Sequence, residues 1–210
     1  GELYLQAGAV NEAINARKLY LDRFPEPVPA AVGVMQQLAD LEAADADRRR
    51  HWLQMIVVAD RAGGNGDTRV TAAQASLELA EHKLAEFRRI RLVSPVQTSL
   101  KHKLRAMKQA LQALESAIDY GVNPVVTAAT YRIASMYDEL GDALLASERP
   151  HSLTDAELAE YDVLLAEQAA PFEQQAIDVY TTNAQRSGSD PGDPWVEKSV
   201  QRLAELQGGR

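Results

Sequence analysis

Apolar positions in this chain recur at helical spacing. Between Thr71 and Leu92 the residues Ala73, Leu77, Ala80, Leu84 and Phe87 step by four, three, four and three. That stepping draws one apolar stripe along a helix. Leu100, Leu104, Met107, Leu111, Leu114 and Ile118 continue it, and Ile133, Tyr137, Leu140 and Leu144 carry it further. A long segment follows with Leu158, Tyr161, Leu165, Phe172, Ala176 and Val179, then a last one with Val196, Val200 and Leu203. Nowhere is period-two alternation sustained, so no sheet is expected.

Proline and glycine punctuate these segments. Breaks are expected at Pro25, Pro27 and Pro29, at GGNGD (Gly63–Asp67), at Ser94-Pro95, at Gly121–Pro124, at Pro150 and in SGSDPGDP (Ser187–Pro194). Asn123-Pro124 reads as an N-cap followed by a first-turn proline. Thr154 with Glu157 reads as a capping box. Asp193-Pro194 starts a last helix that Gly208-Gly209 ends. Pro171 lies inside a helical pattern and predicts a kink or a split. The expected class is all-α, with helices longer than the usual mean of about 11–12 residues and packed as antiparallel pairs.

Composition agrees with this and narrows the chemistry. The chain has 210 residues, 46% of them hydrophobic and only 6% aromatic. The abundant Ala and Leu favour helix. A net charge of -8 repels phosphate backbones, which speaks against nucleic acid. The two basic runs, RRIR at Arg88–Arg91 and KHK at Lys101–Lys103, read as solvated helix faces. There is no cysteine, which removes thiolate metal sites and thiol nucleophiles. No apolar run approaches the roughly 20 residues of a membrane helix.

The opening stretch carries a repeat pattern. Gly1 is followed by Tyr4, Ala13, Tyr20 and Pro25, with the turn Gly8-Ala9 between. This resembles the tetratricopeptide repeat, in which small residues let helices A and B approach and a proline ends the unit. Arg17 departs from it, since that position usually holds an aromatic or apolar residue. The match starts inside helix A, so Gly1 is expected to be a cut within a longer array. A second copy uses Ala39, a turn at Ala46-Asp47, and Met55 and Val58 as core positions. Glu42 and His51 replace the expected aromatic and Ala. The offset from Gly1 to Ala39 is 38, against a family repeat of about 34. Later, Ala110, Leu114 and Ala117 resemble a helix B. Ala134, Tyr137 and Gly141-Asp142 resemble a helix A, after which some residues look inserted before the pattern resumes at Pro171. The resemblance implies an α-solenoid of such pairs. Residues 1–62 form the first pairs, the leading one truncated. Residues 67–210 form a long-helix region with a capping helix at 194–207. The C-terminal half also resembles the tails of large bacterial cell-envelope repeat proteins of gliding-motility and Tol- or TonB-type systems.

Catalytic motifs are not found. His51, His82, His102 and His151 include no HxxxH pair. Glu78 and His82 share a helix face as a possible metal pair or as a surface pair. GGNGDT lacks the Lys-Ser/Thr of a phosphate loop, and DPGDP lacks a calcium-loop pattern. No nucleophile elbow exists, and no cofactor is expected.

The reading is therefore a non-catalytic scaffold that docks a protein or peptide segment. The acidic charge favours basic partners. The resemblance implies a periplasmic, outer-membrane-associated setting, with the cytoplasm as the alternative. Groove candidates are Tyr131 and Arg132, of residue types that carry interface energy, together with Gln36 and Gln37. Tyr137 and Trp195 read as core. Two other functions stay open: a helical stalk or domain of a cell-wall hydrolase, and a self-associating element paired through the stripe from Leu100 to Ile118.

Overall fold

The computed structural model describes residues 2–6, 8–150, 152–188 and 192–208. Gly1, His151 and Gly209 lie outside the described residues. The helices are α1 (Glu2–Gln6), α2 (Val10–Arg23), α3 (Val28–Leu41), α4 (Ala46–Gly63), α5 (Gly66–Arg89), α6 (Val96–Ile118), α7 (Asn123–Leu145), α8 (Asp155–Ala184) and α9 (Pro194–Gly208). A short 3-10 turn, Gln185–Gly188, follows α8. No strand occurs among the described residues, so the all-α class holds. The chain divides into two compact units, one ending at Leu79 and one beginning at Ala80.

In the first unit, consecutive helices pack on one another, α3 on α4 most extensively. Gly8 opens α2 from a positive φ of 74°, which a residue with a Cβ rarely adopts. Ala13, Ile14, Val32, Leu38, Leu53 and Ile56 are buried. Arg17 sits among them rather than disturbing them. Its guanidinium donates to Gln37 Oε1 at 2.7 Å and to the Ala13 carbonyl. Glu42, expected only as a poor substitute for an aromatic, is a buried tie between three helices. Its carboxylate accepts the Trp52 indole N–H at 2.6 Å and pairs with Lys18 at 3.0 Å and Arg48 at 3.4 Å. Burial pushes this carboxyl up, but the indole N–H and the two cations outweigh that and hold it below the ordinary 4.5. The second repeat copy needs a correction. Met55 and Val58 are exposed, and α4 buries Leu53, Ile56 and Val57 instead. Trp52, half-buried beside this face, reaches Glu42 from the flank of α4 that also carries Met55.

In the second unit, side-chain pairs reveal the register. Glu81 of α5 pairs with Arg132 of α7, and Arg88 of α5 pairs with Glu139 of α7 at 2.7 Å; both pairs span 51 residues. A constant offset over two turns means that α5 and α7 run parallel. Thr127 meets Asp193, and Asp138 meets Arg202, at offsets of 66 and 64 residues, so α7 and α9 are parallel as well. α8 runs against α7. Tyr180 packs beside Tyr131 and Ala134, while Gly141 faces Ala169. A Cβ at Gly141 would sit 3.7 Å from the Ala169 carbonyl, an ordinary contact distance, so the two helices are close here but leave room for a methyl group.

Three expectations change here. α8 is one helix through Pro171, from Asp155 to Ala184, and is not split there. The turn containing Pro171 lies against Gly141, and packing there holds the helix together across the missing hydrogen bond. Asn123 belongs to the first turn of α7 and caps nothing, although Pro124 stands at its start as expected. On α6 the buried stripe is Lys103, Met107, Ala110, Leu114 and Ala117, whereas Leu104 is exposed. The period was right and the face was rotated toward the small residues. The capping box of Thr154 and Glu157 forms as read, and Asp193 caps α9 by accepting the N–H groups of Trp195 and Val196.

Glu42→Ala strands the indole N–H and removes both ion pairs. It should cost about 1–3 kcal/mol in denaturant unfolding. Because the folded carboxyl titrates below its unfolded value, the wild-type advantage should be complete above pH 4.5 and shrink as pH falls below it. A stability difference that ignores pH would leave Glu42 with a packing role only.

Candidate functional site

The parallel helices α5, α7 and α9 share a face that carries aromatic and cationic groups. Tyr131 and Arg132 stand on adjacent positions of α7, and Trp195 and Lys198 one turn apart on α9. The Tyr131 ring lies 5.3 Å from the Trp195 ring, centroid to centroid. The Arg132 guanidinium is 4.4 Å, and the Lys198 ammonium 4.2 Å, from the Trp195 ring centroid. Arg132 is held by Glu81 and by the Ala128 carbonyl at 2.9 Å. Lys198 is exposed and has no carboxylate partner among the described residues. Trp195, read as core, is half-buried and forms the centre of this cluster.

The cluster is fixed from beneath by a buried polar network. Asn183 of α8 is fully buried and donates to the Thr127 carbonyl at 3.1 Å and to Ser199 Oγ at 2.9 Å. Thr127 Oγ1 donates to Asp193 at 2.7 Å. These bonds tie α7, α8 and the start of α9, and so set where Trp195 stands. The sequence pointed to Tyr131 and Arg132 but not to Lys198, although its helical spacing from Trp195 was legible.

Gln36 and Gln37 are not brought into that face. Gln36 is bonded to Asp40 at 3.1 Å, and Gln37 accepts from Arg17. A separate groove of about 370 Å³ runs between α2, α3 and α4 in the first unit. Leu21, Val28, Met35, Trp52 and Met55 line it, with Lys18 and Asp22. Sequence reading missed it, because Met55 was counted as core.

The repeat-signature positions divide by size. Ala13, Ala110, Ala117 and Ala134 are fully buried, as small helix-packing residues should be. Tyr137 is half-buried and packs against the cluster of Ala134, Ala176 and Tyr180. Tyr4 and Tyr20 are instead exposed, as is Pro25. The Tyr20 ring lies 5.5 Å from the Phe24 ring, centroid to centroid.

Lys103 corrects the reading of KHK as a solvated run. It is 4% exposed, and its ammonium donates to the carbonyls of Phe87 at 3.1 Å and Ile90 at 3.0 Å. It also lies 4.1 Å from the centroid of the Phe87 ring. Lys103 thus serves the end of α5, where carbonyls lack helix partners. Burial pushes its ammonium below the ordinary lysine value, with Glu139 opposing. It borders an open cleft of about 830 Å³ that Arg88, Arg91, Glu139 and Asp142 also line.

Glu78 and His82 do not form a pair. Glu78 binds Arg49, and His82 Nε2 lies 3.2 Å from Glu86. Among the described residues, no cluster of three acidic or imidazole groups could hold a metal ion, and no helix is long and apolar enough to cross a membrane. No family model, curated protein or solved structure matches the chain.

Lys103→Met keeps most of the volume but takes the ammonium donor from the Phe87 and Ile90 carbonyls, of which only the first keeps another donor, the Ile90 N–H. The expected loss is about 1–3 kcal/mol, read from the urea midpoint. An unchanged midpoint would mean that the ammonium adds nothing to the end of α5.

Proposed function

We propose that the chain is a non-catalytic docking scaffold built of tetratricopeptide-like helix pairs, whose α5–α7–α9 face receives a protein segment. The alternation of direction supports the pairwise reading. α5, α7 and α9 run one way, with α8 running against α7, as stacked helix hairpins require.

One observation carries the docking role. Tyr131, Arg132, Trp195 and Lys198 are gathered on one partly exposed surface and held there by buried bonds. Tyr, Trp and Arg are the residues that dominate binding energy at interfaces. A pre-positioned cluster lowers the ordering cost of association. The resemblance of the C-terminal half supports a place in a bacterial cell-envelope assembly.

The test uses the purified chain as bait against a solubilised bacterial envelope fraction, read by mass spectrometry. Trp195→Ala and Lys198→Glu should lose the retained protein while keeping helical circular dichroism. Retention of the same species by wild type and both variants would remove this face as the dock.

A further inference from the structure

The groove of the first unit has a chemistry of its own. Leu21, Met35 and Met55 supply flexible and branched apolar surface from three different helices. Methionine adapts its shape to what it meets. The Trp52 ring is fixed by its N–H bond to Glu42 at 2.6 Å, so it offers a rigid wall. A volume of about 370 Å³ lies within the range of sites that enclose large side chains or small ligands.

The charges in the lining are unequal in freedom. Lys18 is taken up by Glu42 at 3.0 Å. Asp22 is exposed and has no hydrogen-bond or ion-pair partner among the described residues. The groove therefore presents an apolar floor with one uncompensated negative charge.

We propose that this groove docks a polypeptide segment carrying a bulky aliphatic or aromatic side chain beside a lysine or arginine. The apolar side chain fills the space between Met35, Met55 and Trp52, and the cation meets Asp22. The inference rests on the docking reading only for the class of partner, since it concerns a different surface.

Methionine-methyl NMR tests it on the whole chain, which has four methionines. Met35 and Met55 line the groove, whereas Met107 and Met136 are buried in the second unit and serve as internal controls. The probes are short amphipathic peptides with Leu or Phe flanked by Lys, and twins with Glu in place of Lys. The Lys peptides should shift the Met35 and Met55 signals alone. They should bind about two- to five-fold more tightly than the Glu twins, the scale of one exposed ion pair. Asp22→Lys should reverse that ranking, with an unchanged unfolding midpoint as the check on folding. Silence of Met35 and Met55 with both peptides would overturn the groove. Equal affinity for the twins, or a ranking that Asp22→Lys leaves intact, would overturn the role of Asp22. Neither result bears on the α5–α7–α9 face, which is probed through Trp195 and Lys198.

Discussion

The second unit depends on α7. This helix buries eleven residues, among them Ala128, Ala129, Ala134 and Gly141. Small side chains allow close approach, and close approach makes register matter, because a slip by one residue would bring larger side chains against the neighbouring helices. With α7 fixed, the partners fall into place around it. Glu81 and Arg88 align α5, Asp193 and Arg202 align α9, and Tyr180 with Asn183 aligns α8. The ion pairs are partly exposed, so their own contribution to stability is small. Their role is specificity of register, while burial supplies the driving force.

The first unit solves the same problem by other means. Its helices are shorter, and two polar side chains lie where apolar ones are usual. Arg17 and Glu42 are both buried, and both are fully engaged by neighbours. A buried charge without partners costs far more than one with several. Glu42 holds Trp52 of α4 and Lys18 of α2, and Met55 stands one turn from Trp52 on the same flank of α4. One wall of the apolar groove, the Trp52 ring, is thus positioned by a buried carboxylate.

The two candidate surfaces differ in character. The α5–α7–α9 face is aromatic and cationic, with its arginines already paired and Lys198 left available. The groove of the first unit is apolar with Asp22 left available. A chain with a net charge of -8 thereby carries two proposed docking surfaces whose unpaired charges differ in sign. Net charge alone pointed to basic partners; local pairing decides which charges remain free to meet one.

Much of the architecture was written in the residues themselves. Helical periodicity, the capping box at Thr154 and the start at Asp193-Pro194 are local signals, because caps and stripes depend on neighbours within a few positions. The small residues Ala110, Ala117 and Ala134 lie on apolar stripes of α6 and α7, and all three are buried. Rotation of a helix about its axis was not legible in this way. Leu104 against Lys103, and Met55 against Leu53, differ by one or two positions, and only contacts with distant helices choose between them. Pro171 does not split its helix because packing on α7 holds it, which a local rule cannot see. The gathering of Trp195, Lys198, Tyr131 and Arg132 joins α7 to α9 across more than 60 residues. That juxtaposition, like the burial of Lys103 and Glu42, comes from tertiary packing, which decides which polar groups find partners and which stay open to others.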